Sequence, residues 1–374
     1  MLLGAGSSSR FGLKAKKQWL FTGELPLWLY VAKRFEKMQK FHKIIITSSK
    51  REKPLFEKYC DYLIIEGGQS RQASVKNALK EVQTPYLLVS DIARVCVNGD
   101  MVRRILDKKE AADCVVPYIS PPDTVVYQNE TIERSEVKLI QTPQLCRTDT
   151  LKKALQSQRE FTDESSAIRA IGAKVEYVEG DKRAMKLTYK EDLRFLDCIE
   201  KPSKTELVGE GFDVHPFDEN RELFLGGVKI EHSRGLAGHS DADVVIHALI
   251  DALLGAANFG DIGELFPDSS DRYKGIDSKE LLKEVKELLQ ECGFEPVKVD
   301  ITIMAQEPRL YPYKLQMATK IGSILNLEKH RVNIKATTTE GLGFIGRAEG
   351  IAAKAVATLK YYNWSEDESI DSRE

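Results

Sequence analysis

Apolar runs alternate with amphipathic segments along the first half of the chain. The apolar runs cover residues 43–47, 62–65, 86–90, 114–117 and 174–178, and segments with helical spacing of apolar residues cover 27–38, 70–82, 100–110 and 148–158. Continuous apolar runs are typical of strands that are covered on both faces, and their alternation with helices is typical of a parallel sheet. This half therefore predicts a mainly parallel α/β sheet, which binds ligands beyond the carboxyl ends of its strands.

The alternation ends near residue 198, and a second pattern begins after a polar segment. Residues 198–207 contain a proline and four charged side chains, a composition typical of a linker. At 374 residues the chain is long enough for two domains. We predict a first domain at 1–199, a linker at 200–206, a second domain of α+β type at 207–364, and a disordered polar tail at 365–374.

Composition narrows the class of protein and its compartment. A net charge of −2 provides no basic field, so nucleic acid is not an expected partner. The six cysteines are scattered without a Cys-x-x-Cys pair, which predicts reduced thiols. No leader pattern precedes the first domain, and the most apolar helix is too short to span a bilayer. We therefore expect a cytoplasmic protein with no membrane partner.

A loop of small residues follows the first short apolar run. It extends from Gly4 to Gly12 and contains Arg10, and Lys17 lies just beyond it. Such a loop lets a phosphate approach the backbone closely, and the two cations can bind polyphosphate oxygens. The sequence matches neither a Walker A loop nor a Gly-x-Gly-x-x-Gly fingerprint. It predicts a phosphate-binding loop, and a plain turn followed by a solvated basic face is the alternative.

A carboxylate follows the apolar run at 86–90. Asp91 stands directly beyond this strand, where it could hold Mg²⁺ on nucleotide phosphates. The alternative is that Asp91 caps the next helix.

The second half begins with a group of potential metal ligands. Asp213 and His215 are two residues apart, so they point to the same side of an extended segment. His247 lies on an apolar helix that is predicted to start near Ser240 and Asp243. One carboxylate and two imidazoles form a three-ligand set with an open position, as in catalytic zinc sites. The alternative is that the histidines are ordinary surface or core residues and that the aspartates are caps.

Three consecutive threonines precede Glu340 at the end of a predicted strand at 332–336. Their hydroxyls could bind a diphosphate, and the carboxylate could bind a hard cation. A strand with a polar face is the alternative.

Further motifs of the first half occur at 66–75, 90–94, 123–124, 141–144 and 162–166. In this order, over residues 1–198, they resemble those of the 2-C-methyl-D-erythritol 4-phosphate cytidylyltransferases of isoprenoid synthesis. The resemblance implies a Rossmann-like nucleotidyltransferase domain that uses Mg²⁺ or Mn²⁺. In this family methylerythritol phosphate attacks the α-phosphate of CTP, and pyrophosphate is released.

The resemblance also assigns roles by position. Arg10 and Lys17 would stabilise the pentacoordinate α-phosphate, and Arg134 and Lys186 would be further catalytic cations that contact phosphate groups. The substrate-binding set would consist of Gly4, Ala5 and Gly6 at the cytosine, Ser74 at the base, Asp91 at the ribose and metal, Arg94, and Thr124 at methylerythritol phosphate. The family usually has alanine where Gly4 stands.

Motifs of the second half occur at 213–215, 239–243, 260–263, 336–340 and 343–347. Over residues 207–362 they resemble the 2-C-methyl-D-erythritol 2,4-cyclodiphosphate synthases. The resemblance implies that the 2-phosphate of a CDP-linked substrate attacks the β-phosphate, which closes a cyclic diphosphate and releases CMP. It also implies a homotrimer whose pockets are shared between neighbouring subunits, and pairing of the first domains could extend this to a hexamer.

Here too the resemblance assigns residues. Asp213, His215 and His247 would bind Zn²⁺, Glu340 would bind Mg²⁺ or Mn²⁺, and Asp251 would orient a zinc histidine. The remaining set would consist of His239 and Ser240 at the 2-phosphate, Asp261 and Gly263 at the erythritol and ribose, Ala305, Pro308, Arg309, Thr337 and the catalytic Thr338 at the cytidine and diphosphate, and Phe344 and Arg347, the latter lining a central trimer cavity.

Two interpretations compete with a bifunctional enzyme. The second half could be a metal-stabilised trimerisation module without turnover, but a structural zinc site would have four protein ligands rather than three. The first half could be a scaffold that has lost activity, but Arg10, Lys17, Asp91 and Arg94 are all present.

Overall fold

The computed structural model describes residues 1–267, 269 and 271–370. These form two compact units. The first consists of Met1–Pro202 together with the chain from Asn363 onward, and the second consists of Ser203–Tyr362.

The first unit is an α/β sheet with helices packed against it, as the alternating pattern predicts. Its strands are β1 (Leu2–Leu3), β2 (Phe21–Thr22), β3 (Leu25–Pro26), β4 (Ile45–Ser48), β5 (Leu63–Glu66), β6 (Tyr86–Asp91), β7 (Cys114–Ile119), β8 (Val125–Tyr127), β9 (Glu130–Ile132), β10 (Leu139–Ile140), β11 (Gln144–Arg147) and β12 (Val175–Glu179). Its helices are α1 (Leu27–Met38), α2 (Lys53–Glu57), α3 (Arg71–Leu79), α4 (Gly99–Asp107), α5 (Thr148–Ala154) and α6 (Glu164–Ala170).

The main sheet has the strand order β10-β7-β11-β6-β1-β4-β5, and β12 also pairs with β7. Strands β6, β1, β4 and β5 are parallel, whereas β11 runs antiparallel between β6 and β7. The prediction of a mainly parallel sheet is confirmed. The loops that follow β1, β4, β5 and β6 meet at one edge, because the carboxyl ends of parallel strands lie together.

The second unit is an α+β domain built on a five-stranded sheet. Its strands are β13 (Leu207–Asp218), β14 (Leu223–Leu225), β15 (Val228–Ile230), β16 (Gly235–Leu236), β17 (Phe294–Met304), β18 (Val332–Thr337) and β19 (Gly350–Tyr361). Its helices are α7 (Val244–Ala256), α8 (Ile262–Leu265), α9 (Ser278–Glu291), α10 (Lys314–Leu325) and α11 (Gly343–Gly346). The sheet order is β16-β13-β19-β17-β18.

Helix α7 packs directly on the backbone of β13. A Cβ at Gly209 or Gly211 would collide with backbone atoms of Ala252 or Ala248 on the helix. Both glycines therefore allow a close approach that any side chain would prevent. This contact brings the helix that carries His247 against the strand that carries His215.

Two predictions about the first unit are wrong. Cys96 and Cys198 form a disulfide across 102 residues of sequence, so not all thiols are free. The tail is ordered over 365–370, which contains parts of two short 3-10 helices, Trp364–Glu366 and Glu368–Ile370. Residues 371–374 lie outside the described residues. Neither the disulfide nor the ordered tail can be recognised from the local sequence. Both depend on segments that are distant in sequence and meet only in the fold.

Among the described residues, no helix combines the length and the apolarity that crossing a bilayer requires.

Candidate active sites

A cleft of about 680 Å³ lies at the carboxyl edge of the first sheet. The loop after β1, the segment 66–71 and residues from the end of β6 line it together. The predicted residues that the structure brings to this cleft are Gly4, Ala5, Gly6, Arg10, Lys17, Ser74, Asp91 and Lys186. Packing around Gly4 is tight, because a Cβ there would lie 2.4 Å from Ile92 Cδ1 and 2.9 Å from the Thr47 carbonyl oxygen.

Gln18 holds the loop in shape, a role that sequence reasoning missed. Its amide nitrogen donates to the Gly6 carbonyl at 3.1 Å, and its amide oxygen accepts from Ser8 Oγ at 2.9 Å. Ser8 has a positive φ of 57°, which is uncommon for serine. Gln18 is buried and stabilises this turn.

Asp91 is a buried carboxylate at the centre of an ionic network. Its two carboxylate oxygens accept from Arg71 Nε at 3.1 Å and from Lys186 Nζ at 2.7 Å. Arg71 also makes a two-pronged pair with the buried Glu164, at 2.6 and 3.0 Å. Burial alone would raise the pKa of Asp91, but attraction to Arg71 and Lys186 outweighs it and holds that pKa below its usual range. Arg71 and Glu164 lie in motifs noted from the sequence, but their pairing could not be read from it.

Lys17 and Lys186 lie near one another in this cleft. Lys17 Nζ donates to the Leu187 carbonyl at 3.1 Å. Burial, followed by repulsion from Lys186 and Arg10, lowers the pKa of Lys17. A group of neighbouring cations, of which Lys17 is partly desolvated, is suited to bind a polyphosphate.

Three predicted residues do not line the cleft. Arg94 instead donates to the carbonyls of Ala184 and Ile140, at 2.7 and 3.3 Å. Thr124 and Arg134 are exposed at either end of the β8–β9 hairpin, and Arg134 donates to the Pro122 carbonyl at 3.0 Å. The contact of Arg94 with nucleotide stays a prediction, and in this structure its guanidinium is turned toward backbone oxygens.

Three potential metal ligands converge in the second unit. Asp213 Oδ2 lies 2.9 Å from His215 Nε2 and 3.1 Å from His247 Nδ1, and the two nitrogens are 3.3 Å apart. Ligand atoms around a tetrahedral zinc ion lie roughly 3.4 Å apart, given bonds of about 2.1 Å. The donor set and its spacing fit a divalent metal ion.

Burial alone would raise the pKa of Asp213. Hydrogen bonds with His215 and His247 outweigh that effect and hold the pKa well below its usual range. The carboxylate therefore stays charged, as a metal ligand must.

Serine hydroxyls, not Asp251, orient His247. The Nε2 of His247 lies 3.0 Å from both Ser240 Oγ and Ser278 Oγ. The Ser278 hydroxyl in turn donates a hydrogen bond to Asp241 Oδ1. Asp251 accepts from the Ile262 backbone N–H at 2.8 Å, so its predicted role as a partner of a zinc histidine is wrong. Ser278 begins a helix 31 residues beyond His247, and no sequence spacing indicated it.

The loops that follow the parallel strands β17 and β18 lie side by side. Ala305 N–H donates to the Thr337 carbonyl at 3.0 Å, which joins the predicted cytidine and diphosphate segments. Thr338 Oγ1 donates to Glu340 at 2.9 Å. Glu340 has a φ of 52°, a left-handed conformation that is uncommon outside glycine and that often marks functional sites.

The other predicted residues of this unit are mostly exposed. Pro308 follows a cis peptide bond, and Arg347 is paired with Glu349 at 2.6 Å. The exposed members are His239, Asp261, Gly263, Arg309, Phe344 and Arg347. Within the described residues, no hydrogen bond joins any of them to the metal-ligand triad.

Comparison with known proteins assigns each of the two units to a protein family. A family profile described as 2-C-methyl-D-erythritol 4-phosphate cytidylyltransferase matches residues 1–200, and the YgbB family matches residues 207–360. The chain is 58% identical over 366 residues to the bifunctional enzyme IspD/IspF of a Nitratiruptor species, covering 98% of each chain. It is 54% identical to the enzyme of that name from Sulfurimonas denitrificans, covering 98% of this chain and 95% of that one.

A solved structure supports the same assignment. The bifunctional IspDF from Campylobacter jejuni superposes with a TM-score of 0.87 at 46% identity, and the match covers 98% of both chains. The chain therefore belongs to the bifunctional IspD/IspF enzymes of isoprenoid biosynthesis, which transfer CMP from CTP to methylerythritol phosphate and separately close the 2,4-cyclodiphosphate with release of CMP.

Proposed function

We propose that Arg10, Lys17 and Lys186 form the charge-stabilising set for cytidylyl transfer. Attack on an α-phosphate builds negative charge on its oxygens, so a site works mainly by holding cations and substrates in place. All three side chains line one cleft. The family resemblance alone supports the assignment of Thr124 and Arg134 to methylerythritol phosphate.

Asp91 is the proposed ligand for Mg²⁺ or Mn²⁺ in this cleft. Its carboxylate is held charged by Arg71 and Lys186, which keep its pKa low, and a charged oxygen ligand suits a hard cation. The ion would neutralise part of the triphosphate charge. Ser74, whose hydroxyl accepts from Gly68 N–H at 3.0 Å, fixes the turn that would meet the base.

In the second unit we propose Zn²⁺ at Asp213, His215 and His247, and Mg²⁺ or Mn²⁺ at Glu340. A bound zinc ion would polarise a phosphate oxygen of the CDP-linked substrate. Ser240 and Ser278 would fix the ring of His247 through its second nitrogen. Thr337 and Thr338 would offer hydroxyls to the diphosphate, and the segment from Ala305 to Arg309 would meet the cytidine.

The proposed assembly is a trimer, or a hexamer formed from two trimers. On β13, Val208, Phe212 and Val214 are 66%, 54% and 40% exposed, while the glycines between them face α7. Glu210, which pairs with Lys354 at 2.9 Å, is the charged residue among them on this face. Exposed apolar side chains grouped on an open sheet face are typical of a subunit interface. The exposed pocket loops of this unit also fit a site that a neighbouring subunit completes. The cytoplasmic location stays a prediction.

The metal assignment is tested by His215→Ala in the full chain. We expect zinc content and CMP release from the CDP-linked substrate to be lost, because the two remaining ligands no longer hold the ion. His330→Ala is the matched control, since His330 is 71% exposed and lies outside the site. Undiminished zinc in His215→Ala, measured by elemental analysis, would rule out this coordination.

A further inference from the structure

The last described residues of the chain dock on the first unit. Here residues 363–370 are called the closing segment. Trp364 Nε1 donates to the Phe21 carbonyl at 2.7 Å, and the Ile370 carbonyl accepts from the Arg194 guanidinium. Ile370 is only 5% exposed. The closing segment is therefore packed against the first unit as part of its fold.

The closing segment also shapes itself locally. Asn363 Oδ1 accepts from both the backbone N–H and the hydroxyl of Ser365, and Asp367 Oδ1 accepts from Ser369 N–H at 2.9 Å. Such side-chain caps favour short turns over extended chain. The polar composition that suggested disorder is thus used to form two docked turns.

Its two anchors lie on the two segments that carry the catalytic lysines. Phe21 follows the short 3-10 helix Lys17–Trp19, and Arg194 lies in the 3-10 helix Lys190–Phe195, shortly after Lys186. At the cleft the same two segments meet where Lys17 donates to Leu187. The closing segment therefore joins, from outside the cleft, the two stretches of backbone whose lysines must converge inside it.

The segment that carries Lys186 lacks the support of a sheet or an α-helix. Between β12 and the end of the first unit it contains only 3-10 turns among the described elements. It is fastened on the cleft side by Leu187 N–H to the Ala93 carbonyl, at 2.8 Å, and by Arg94 to Ala184. Beyond Leu187, the disulfide from Cys198 to Cys96 fastens the end of this segment, and the closing segment contacts its middle through Arg194.

We propose that the closing segment is a clasp that positions Lys17 and Lys186 for cytidylyl transfer. Lysine side chains are long and flexible, so their placement depends on how firmly the backbone beneath them is held. A displacement of about 1 Å at a catalytic group can reduce a rate roughly 100-fold. The inference rests on the roles proposed above for these two lysines.

The test uses two variants of the whole enzyme, Trp364→Phe and a chain that ends at Tyr362, with pyrophosphate release as the readout. We expect kcat to fall about 5-fold in the first and at least about 10-fold in the second. KM for CTP should change less than about 2-fold, because the loop and Ser74 that would bind the base are untouched. Glu366→Ala is the control, since this exposed side chain lies on the same segment. CMP release by the second unit should stay normal in every variant.

A mutant cycle with the pair Lys17→Ala and Lys186→Ala separates positioning from general loosening. If the clasp acts through the two lysines, Trp364→Phe should lower the remaining kcat by less than about 2-fold once both lysines are gone. A full effect of about 5-fold in that background, or normal kcat in both clasp variants, would overturn the clasp. Normal kcat in Lys186→Ala alone would overturn the proposed role of that lysine and the clasp with it.

Discussion

At the scale of single residues, the first site depends on cations that repel one another. Lys17 is partly buried, and Lys186 and Arg10 lower its pKa further, while Asp91 and Asp192 oppose them. The protonated form is the one that can stabilise phosphate charge. A lowered pKa therefore means that this form is lost at a lower pH than for an ordinary lysine.

The lowered pKa of Lys17 predicts how kcat/KM for CTP falls at alkaline pH. Activity should fall as pH rises through an apparent pKa below the usual 10.5 of lysine. In Lys186→Ala the remaining activity should persist to higher pH, because one repelling charge is gone. Lys108→Ala, an exposed lysine outside the cleft, should leave this apparent pKa unchanged. An unchanged apparent pKa for this alkaline fall in Lys186→Ala would contradict the proposed repulsion between Lys17 and Lys186.

Residue types and spacings predicted the residues that would contact a metal or substrate better than the residues that hold them in place. The Asp-x-His pattern on a strand placed Asp213 and His215 side by side because strand geometry is local. Ser278, Arg71 and Glu164 could not be found in this way. Their contacts span 31, 20 and 93 residues of sequence, and only the fold brings the partners together.

At the scale of elements, the second site depends on the start of α7. Asp243 is fully buried and accepts four backbone hydrogen bonds, from Val245 and Ile246 in the helix and from Gly226 and Gly227 in the β14–β15 turn. One carboxylate thus caps the helix and fastens the neighbouring hairpin. His247 lies one turn beyond this cap.

Asp243→Ala should therefore destabilise α7 strongly. Loss of the cap costs about 1 kcal/mol, and the stranded N–H groups of the turn add about 1 kcal/mol each, which gives about 3 kcal/mol in total. Hydrogen exchange of the α7 amides in the full chain measures this opening free energy. Asp277→Ala, which removes the partly buried cap of α9, should cost that helix no more than about 1 kcal/mol. Equal losses in the two variants would contradict the double role of Asp243.

Helices with a clear apolar face were predicted closely, and strands without one were missed. The bounds of α1 match the predicted 27–38, and α4, at residues 99–107, lies close to the predicted 100–110. Strand β19 was not predicted, although it lies between β13 and β17 in the sheet. Its many alanines give a weak pattern, and its position is set by pairing with two strands far away in sequence.

At the scale of the whole molecule, the open face of β13 predicts an oligomer. The mass measured by light scattering should be three or six times that of the chain, with closed symmetry. Phe212→Asp should shift the mass downward, since a charge on that face disfavours its burial. Val126→Asp, at an exposed position of the first unit, is the control. A monomeric mass for the unaltered chain would contradict the proposed trimer.

The most direct test of two separate sites in one chain assays both reactions in two full-length variants. Lys17→Ala should lose about 100- to 1000-fold in pyrophosphate release from CTP, the usual cost of one charge-stabilising donor, and keep normal CMP release from the CDP-linked substrate. His215→Ala should show the reverse pattern. Loss of both activities in either variant, with the chain still folded, would contradict the separation of the sites.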